Sequence, residues 1–145
     1  MTDTPSDLEL HLRYAHGTGA LAPYFEALAS GNALASKCGI CGRVWFPPHI
    51  HCPDDGGVCD WLTLDGAGEV VSATTTRSRL PFADQAEDHV FVLVAMDGAD
   101  NAAFGRMRPD TDGERLVGCR VRLVGAPEAA PHPAQAALFE VLEET

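Results

Sequence analysis

Residues 37–59 read KCGICGRVWFPPHIHCPDDGGVC, and this stretch decides the fold because it holds four of the five cysteines of the chain. Cys38 and Cys41 stand three residues apart in a turn that Gly39 and Gly42 allow to bend tightly. Two thiolates at this spacing can reach one ion at the short metal–sulfur distances of tetrahedral zinc. The stretch therefore predicts two metal-binding knuckles joined by a short aromatic hairpin.

The fourth metal ligand is less constrained by the sequence. Cys52 supplies a third thiolate, but Asp55 stands where a symmetric ribbon would complete its second Cys-x-x-Cys. Cys59 is the natural replacement, because a Gly-Gly pair gives the loop before it the freedom to return a thiolate to the ion. His49, His51 and Asp55 remain alternatives, since imidazole and carboxylate also bind zinc, and a knuckle without metal is a further alternative. The predicted zinc ligands are Cys38, Cys41, Cys52 and Cys59.

Composition and charge limit the classes of protein to consider. The chain has 145 residues, of which 46% are hydrophobic and 21% charged, as in one globular domain or a small module joined to a compact one. It shows neither a membrane-length apolar run nor a signal peptide, which predicts a cytoplasmic protein with no membrane partner. In a reducing compartment, clustered cysteines hold metal more often than they form disulfides. The net charge of −11 argues against a nucleic-acid partner.

The rest of the chain is predicted to be mainly β. Pro23 suits a first helical turn and Gly31 a helix end, so a short amphipathic helix precedes the cysteine-rich stretch. Leu8, Leu10 and Leu12 alternate with polar residues over too short a length to decide between helix and strand. Five or six strands with glycine bends predict a small antiparallel barrel, with an open sheet as the competing architecture. These strand patterns cover residues 61–64, 68–77, 89–96, 102–107, 119–124 and 137–142, and a separate brief strand at residues 34–37 enters the cysteine-rich stretch.

Several motifs occur in an order that resembles one known family. They are Tyr24-Phe25, Cys38-x-x-Cys41-Gly42-Arg43-x-x-Phe46-Pro47-Pro48, Cys52-Pro53, Trp61, Gly66-x-Gly68 and the strand pair flanking Pro81-Phe82. Together they cover about residues 20–142 and resemble the domain-of-unknown-function-35 family, in which a rubredoxin-like zinc ribbon precedes an OB-fold. The resemblance implies a mainly β fold with three parts: a short N-terminal helical segment (1–33), a zinc ribbon (34–61) and a five-stranded OB-fold barrel (62–145).

The resemblance also implies a function. Members are accessory subunits that bind acyl-CoA and dock on thiolase-superfamily enzymes, such as acyltransferases and retro-aldolases that shorten steroid side chains. For this chain it implies a hetero-oligomer with a thiolase-like subunit, a structural zinc, a CoA thioester as ligand and no catalytic residue of its own. Cys38, Cys41 and Cys52 match three ligand positions of the family, whereas Asp55 departs from the fourth. That departure leaves either Cys59 as a shifted ligand or a lost site.

Residues 78–88 correspond to the family's long loop between the second and third barrel strands, and the candidates for ligand contact lie in this region. Arg77 and Arg79 offer guanidinium groups to CoA phosphates, and Phe82 offers an aromatic surface to adenine or pantetheine. The alternative is that both arginines are solvated charges and Phe82 is a lid over the barrel end. Cys119, within a predicted strand, is expected to be a core residue.

Two functions of other classes remain open at this stage. An OB-fold module that binds single-stranded nucleic acid would form a salt-sensitive complex, which the acidic charge disfavours. A rubredoxin-like iron electron carrier would need a fourth thiolate, and Asp55 stands at that position. No nucleophile and base form a recognisable catalytic motif in the sequence, so an independent active site is not expected.

Overall fold

A computed structural model describes residues 5–129 and 131–142 of the chain. Among these residues, no helix has the length and apolar character needed to cross a membrane. The predicted domain limits at 33/34 and 61/62 stay predictions, and their outer limits at residues 1 and 145 lie outside the described part. The helices and strands are α1 (Ala22–Ala29), β1 (Ala33–Cys38), β2 (Val44–Trp45), β3 (Cys59–Leu64), β4 (Ala67–Ser78), β5 (Glu87–Met96), β6 (Ala102–Met107), β7 (Arg120–Val124), α2 (Pro133–Ala136) and β8 (Leu138–Val141).

Helix α1 leads the chain into the ribbon, as the sequence predicted. Pro23 lies in its first turn, and Tyr24 and Leu28, four residues apart, are buried on one face. Gly31 turns the chain after the helix with a φ of +75°, a conformation that glycine adopts without strain. A Cβ at Gly31 would also lie 2.7 Å from the backbone nitrogen of Gly125. The helix therefore meets the loop after β7 at a point where a side chain does not fit.

Strands β1, β2 and β3 form a three-stranded antiparallel sheet in the order β2-β1-β3. Cys38 ends β1 and lies opposite Cys59, the first residue of β3. Residues 39–43 link β1 to β2 and residues 46–58 link β2 to β3, and these two connections hold Cys41 and Cys52. The sheet and its two turns form the ribbon that the sequence predicted.

Strands β4 to β8 close into a barrel in the order β4-β5-β6-β8-β7, and β7 pairs back onto β4. Neighbouring strands are antiparallel except β6 and β8, which run parallel. This is the Greek-key order of an OB-fold, so the predicted mainly β fold with a five-stranded barrel is confirmed and the open sheet is wrong. The loop that follows Ser78 joins the first two barrel strands, not the second and third as expected, because β5 begins at Glu87.

Alternate residues of the barrel strands face inward and form the core. The buried ones are Val70, Val92, Val94, Met96, Ala103, Met107, Val121, Leu123 and Phe139. Cys119 was expected in this core, but it lies just before β7 and is only half-buried. The chain turns at Gly118 with a φ of +86°, so the strand begins one residue later than predicted and the Cys119 thiol donates to the Arg115 carbonyl at 3.2 Å.

The turn between β5 and β6 fixes the ribbon to the barrel. The Asn101 side chain accepts a hydrogen bond from the Phe46 N–H at 3.0 Å and donates one to the Phe46 carbonyl at 2.9 Å. The Asp100 carboxylate accepts from the Val44 N–H at 2.8 Å, and the Asp100 N–H donates to the Val44 carbonyl at 2.8 Å. Phe46 is itself buried against Tyr24, so the ribbon and the barrel share one core.

Candidate metal centre and ligand-binding surface

The two turns of the ribbon repeat one backbone pattern. In the first turn the Gly42 N–H donates to the Cys38 carbonyl at 3.1 Å, and in the second the Gly56 N–H donates to the Cys52 carbonyl at 2.9 Å. Both glycines have a φ of +74°, in the left-handed region that favours glycine. The residues that precede these two glycines therefore occupy equivalent places, and they are Cys41 and Asp55.

Four donor atoms converge between these turns. One atom each from Cys38, Cys41, Cys52 and Asp55 lies within 4.8 Å of all the others. The Cys41 and Cys52 sulfurs are 3.7 Å apart, and the Cys38 sulfur lies 3.3 and 3.6 Å from the two Asp55 carboxylate oxygens. Tetrahedral zinc, with sulfur at about 2.3 Å and oxygen at about 2.0 Å, requires about 3.8 Å between two sulfurs and about 3.5 Å between sulfur and oxygen. The donor set thus fits one tetrahedral ion.

The electrostatics of the four donors also favour a cation. Hydrogen bonds from backbone N–H groups, of which that of Cys41 is the strongest, lower the pKa of Cys38. The Gly57 N–H, 2.8 Å from the carboxylate, is the main cause that holds the pKa of Asp55 below its ordinary value. The N–H of Arg43 lowers the pKa of Cys41, but burial and the three neighbouring donors outweigh it and raise that pKa to about 12. The donors compete for protons, and a bound cation would relieve this competition.

Cys59 lies beside this group of donors and not within it. It faces Cys38 across the β1–β3 ladder, and its thiol is 3.8 Å from the Gly57 carbonyl. Burial, followed by the nearby Cys38 sulfur, raises its pKa. His49 and His51 are exposed and, among the described residues, also fall outside the group. A role for Cys59 as zinc ligand stays a prediction.

The three residues predicted to contact CoA lie at the end of β4 and in the loop that follows. Arg77 is still within β4 and pairs with Asp88, with Nη1 and Oδ1 3.3 Å apart and both side chains largely exposed. Arg79 is exposed in the loop. Phe82 is 84% exposed and has a φ of +66°, which is unusual for a residue with a side chain. Their contact with CoA stays a prediction.

A cleft beside Phe82 was not foreseen from the sequence. It has a volume of about 650 Å³, and its other lining residues include Arg13, Tyr14, His16 and His132. These residues come from three distant parts of the chain and meet only in the folded structure. No local pattern or spacing in the sequence therefore predicts the cleft.

The fold and the site together define a class of protein: a cysteine-rich ribbon, with donors for one metal ion, joined to a five-stranded barrel of OB topology. No protein-family model and no curated protein matches the chain. Among solved structures, it is similar to the "Ltp2-ChsH2(DUF35) aldolase", with 22% identity and a TM-score of 0.60 over 88% of this chain and 97% of that chain. It is also similar to a protein of unknown function from the DUF35 family of Sulfolobus solfataricus, with 17% identity and a TM-score of 0.54 over 74% and 79% of the two chains. The resemblance to the domain-of-unknown-function-35 family is thus confirmed at the level of the fold.

Proposed function

We propose that this chain is a cytoplasmic accessory subunit that binds an acyl-CoA thioester and docks on a thiolase-superfamily enzyme. The partner would be of the acyltransferase or steroid side-chain retro-aldolase type. The observation behind the proposal is the fold shared with the Ltp2-ChsH2(DUF35) aldolase chain, of which 97% is covered. The match includes 88% of the present chain, so neither the ribbon nor the barrel is left out of it.

In this proposal the ribbon holds a structural zinc ion. The donors are Cys38, Cys41 and Cys52, with Asp55 in the equivalent place of the second turn. A site with four protein donors leaves no open position for water or substrate, so the ion when bound fixes the two turns and does not activate a reactant. The Arg43 guanidinium joins the same two turns from outside, with Nη1 2.7 Å from Oδ2 of Asp54.

The proposed acyl-CoA contacts are Arg77, Arg79 and Phe82. Guanidinium groups bind phosphate oxygens in a bidentate manner, and CoA carries three phosphate groups. Phe82 keeps 84% of its surface in water, which supports a role for its ring against adenine or pantetheine. The catalytic groups would come from the partner enzyme, since no nucleophile and base form a recognisable catalytic motif in the sequence of this chain.

Calorimetric titration of the purified, zinc-loaded chain with acetyl-CoA tests the ligand. We expect saturable binding with no release of free CoA. Arg79→Ala and Phe82→Ala should each weaken binding about tenfold, since a charged hydrogen bond or a stacked ring contributes about 1.4 kcal/mol. Arg122→Ala is the matched control, because Arg122 is an exposed arginine on β7 and not in the loop of Arg79 and Phe82. An equal loss in the control would contradict the assigned contacts.

Co-expression with a thiolase-superfamily protein encoded beside the chain's gene tests the docking. The expected result is one complex that survives gel filtration and whose thioester turnover requires both subunits. Turnover of acyl-CoA by the lone chain would contradict an accessory role. A salt-sensitive complex with a single-stranded oligonucleotide, in the absence of acyl-CoA binding, would favour the nucleic-acid module instead.

A further inference from the structure

Cys59 lies opposite Cys38 in the β1–β3 ladder, although it stands outside the four donors of the candidate metal centre. The Gly39 N–H donates to the Val58 carbonyl at 3.1 Å. Because these two residues flank the cysteines, the bond makes Cys38 and Cys59 a non-hydrogen-bonded pair of the ladder. The Cys59 N–H accordingly points away from β1 and donates to the Ile50 carbonyl at 3.0 Å.

A pair of this kind suits a disulfide bond. Residues directly opposite each other in an antiparallel ladder place their side chains on the same face, and the Cα atoms of a non-hydrogen-bonded pair are about 4.5 Å apart. Disulfides span Cα separations of about 4.4–6.8 Å. Rotation of the two side chains can therefore join the thiols without a change in the register of β1 and β3.

The sulfurs of Cys38 and Cys59 lie against the same glycine. A Cβ at Gly57 would be 2.9 Å from the Cys38 sulfur, and the Cys59 thiol is 3.8 Å from the Gly57 carbonyl. A larger residue at position 57 would occupy the space beside the Cys38 sulfur. Glycine thus lets the second turn of the ribbon approach both cysteines.

A surface cleft gives solvent access to this part of the ribbon. It has a volume of about 440 Å³, and Cys38 and Cys41 line it together with Ile40 and Trp61. Cys41 is exposed, whereas Cys38 is buried and Cys59 is half-buried. Hydrogen peroxide is small enough to enter a cleft of this size, and thiolates are the groups that it oxidises.

We propose that Cys38 and Cys59 form a reversible oxidation site, at which hydrogen peroxide converts the two thiols into a disulfide. Peroxide first oxidises the Cys38 thiol to a sulfenic acid, and its other oxygen leaves as water. The Cys59 thiol then attacks the Cys38 sulfur, and its proton leaves with the sulfenic hydroxyl as a second water. The two cysteines lose two electrons and two protons in total, and one peroxide molecule becomes two water molecules.

The effect of this oxidation on metal binding rests on the zinc ion of the proposed function. Zinc is bound by thiolate, so Cys38 in a disulfide no longer serves as a donor and Cys41, Cys52 and Asp55 remain. Loss of one of four donors should weaken zinc binding by at least about 100-fold. The same disulfide ties the end of β1 to the start of β3, so the sheet should survive without the ion. Oxidation should therefore release zinc from a chain that stays folded.

Cys41 and Cys52 are the competing pair of thiols. Their sulfurs are 3.7 Å apart, which is the separation of two donors around a tetrahedral ion. They lie in the two turns of the ribbon and not opposite each other in its ladder, so strand pairing does not align their backbones for a disulfide. Both also belong to the donor set, whereas Cys59 does not.

Peptide mapping of the full, zinc-loaded chain after exposure to peroxide distinguishes the two pairs. Unreacted thiols are alkylated, and the chain is cut after lysine and arginine and before aspartate, which separates residues 38–43, 44–53 and 55–59. The expected product is 38–43 linked to 55–59, with fragmentation placing the link on Cys38. A link from 38–43 to 44–53 in its place would overturn the inference.

Zinc release to a chromophoric chelator provides the second measurement, with circular dichroism to verify the fold. The wild type should lose zinc as the link forms and bind it again after treatment with a thiol reductant. Cys59→Ser should bind zinc when reduced but should not regain it after oxidation, because a sulfenic acid without a partner proceeds to the irreversible sulfinic acid. Cys119→Ser is the matched control and should behave as the wild type, since Cys119 lies outside the ribbon.

The two measurements separate a failure of the proposed zinc site from a failure of the inference. A reduced chain that binds no zinc would contradict the proposed metal, and the peptide link would still decide whether Cys38 and Cys59 react together. A chain that binds zinc but forms no such link would contradict the inference alone. So would a Cys59→Ser variant that regains zinc as fully as the wild type.

Discussion

Replacement of Asp55 by alanine is expected to weaken zinc binding much more than replacement of Cys59 by serine. The reason is the position of Asp55, which occupies in the second turn of the ribbon the place that Cys41 occupies in the first turn. Its carboxylate oxygens lie 3.3 and 3.6 Å from the Cys38 sulfur, close to the separation in a tetrahedral site. Cys59 falls outside the set of donors that approach one another within 4.8 Å.

The size of the effect follows from the energy of structural zinc sites. Such sites bind with about 10–16 kcal/mol, or about 2.5–4 kcal/mol for each of four donors. A carboxylate is a weaker zinc donor than a thiolate, so Asp55→Ala should weaken binding by about 100-fold, at the lower end of this range. Asp55→Cys should bind at least as tightly as the wild type, because it completes a four-thiolate site. Cys59→Ser should change the affinity by less than about tenfold, as expected for a neighbour that does not ligate.

Competition with a chromophoric chelator at neutral pH, under reducing conditions, measures these affinities. Cys41→Ser serves as the control for a lost ligand, and circular dichroism verifies that each variant keeps its strands. The reasoning is refuted if Cys59→Ser loses as much affinity as Cys41→Ser while Asp55→Ala keeps the wild-type value. That result would make Cys59 the fourth ligand, as the sequence predicts.

Three further substitutions test the attachment of the ribbon to the barrel, the packing of the barrel core and an ion pair at the surface. Asn101→Ala should lower the Tm by about 5–12 °C in calorimetry, because both buried backbone groups of Phe46 lose their partner at about 1–3 kcal/mol each. Gly105→Ala should lower the Tm by about 3–10 °C, because its Cβ would lie 2.5 Å from a core ring. The hydrogen bond from Arg120 holds the pKa of Asp97 below its ordinary value, so this carboxylate stabilises the fold above about pH 4 and less as pH falls through its folded-state pKa. Urea denaturation should therefore show Asp97→Asn destabilised at pH 7, by an amount that shrinks as the pH falls from about 4 through the folded-state pKa of Asp97.

Controls separate these effects from general loss of structure. Gly17→Ala should leave the Tm unchanged, because the nearest atom to its Cβ would be 3.9 Å away. An equal fall in this variant would contradict the packing argument for Gly105. A Tm unchanged by Asn101→Ala would mean that water replaces the amide at Phe46, and a pH-independent difference for Asp97→Asn would exclude its ionisation as the cause.

Local pattern predicted most of the barrel. Residues 102–107 were expected as a strand and form β6 (Ala102–Met107), in which Ala103, Gly105 and Met107 face inward and the residues between them face outward. Helix α1 followed from Pro23 and Gly31, whose backbone preferences act over one turn. Both features are determined by residues that are adjacent in the chain, so a local sequence pattern is sufficient to predict them.

The attachment of the ribbon to the barrel and the identity of the fourth metal donor depend on contacts between residues far apart in the chain, so no local pattern predicts them. Strand β2 has two residues and was not predicted, since its support comes from residues more than 50 positions away: Asp100 bonds the backbone of Val44 in the strand, and Asn101 bonds that of Phe46 just after it. The chemistry of zinc ligands favours a thiolate and so led to Cys59, but the repeated backbone turn brings Asp55 to the other donors. Donor type is visible in the sequence, whereas donor position depends on the turn.

The most direct test of the proposed function is the rate at which an acyl-CoA substrate is consumed in a reconstituted mixture, with chromatography counting both free CoA and shortened acyl-CoA as products. The rate is compared for the chain alone, for the proposed thiolase-superfamily partner alone and for the two together. An accessory subunit predicts no consumption by the chain alone and a rate for the pair well above that of the partner. Consumption by the lone chain, or a partner rate that the chain leaves unchanged, would contradict it.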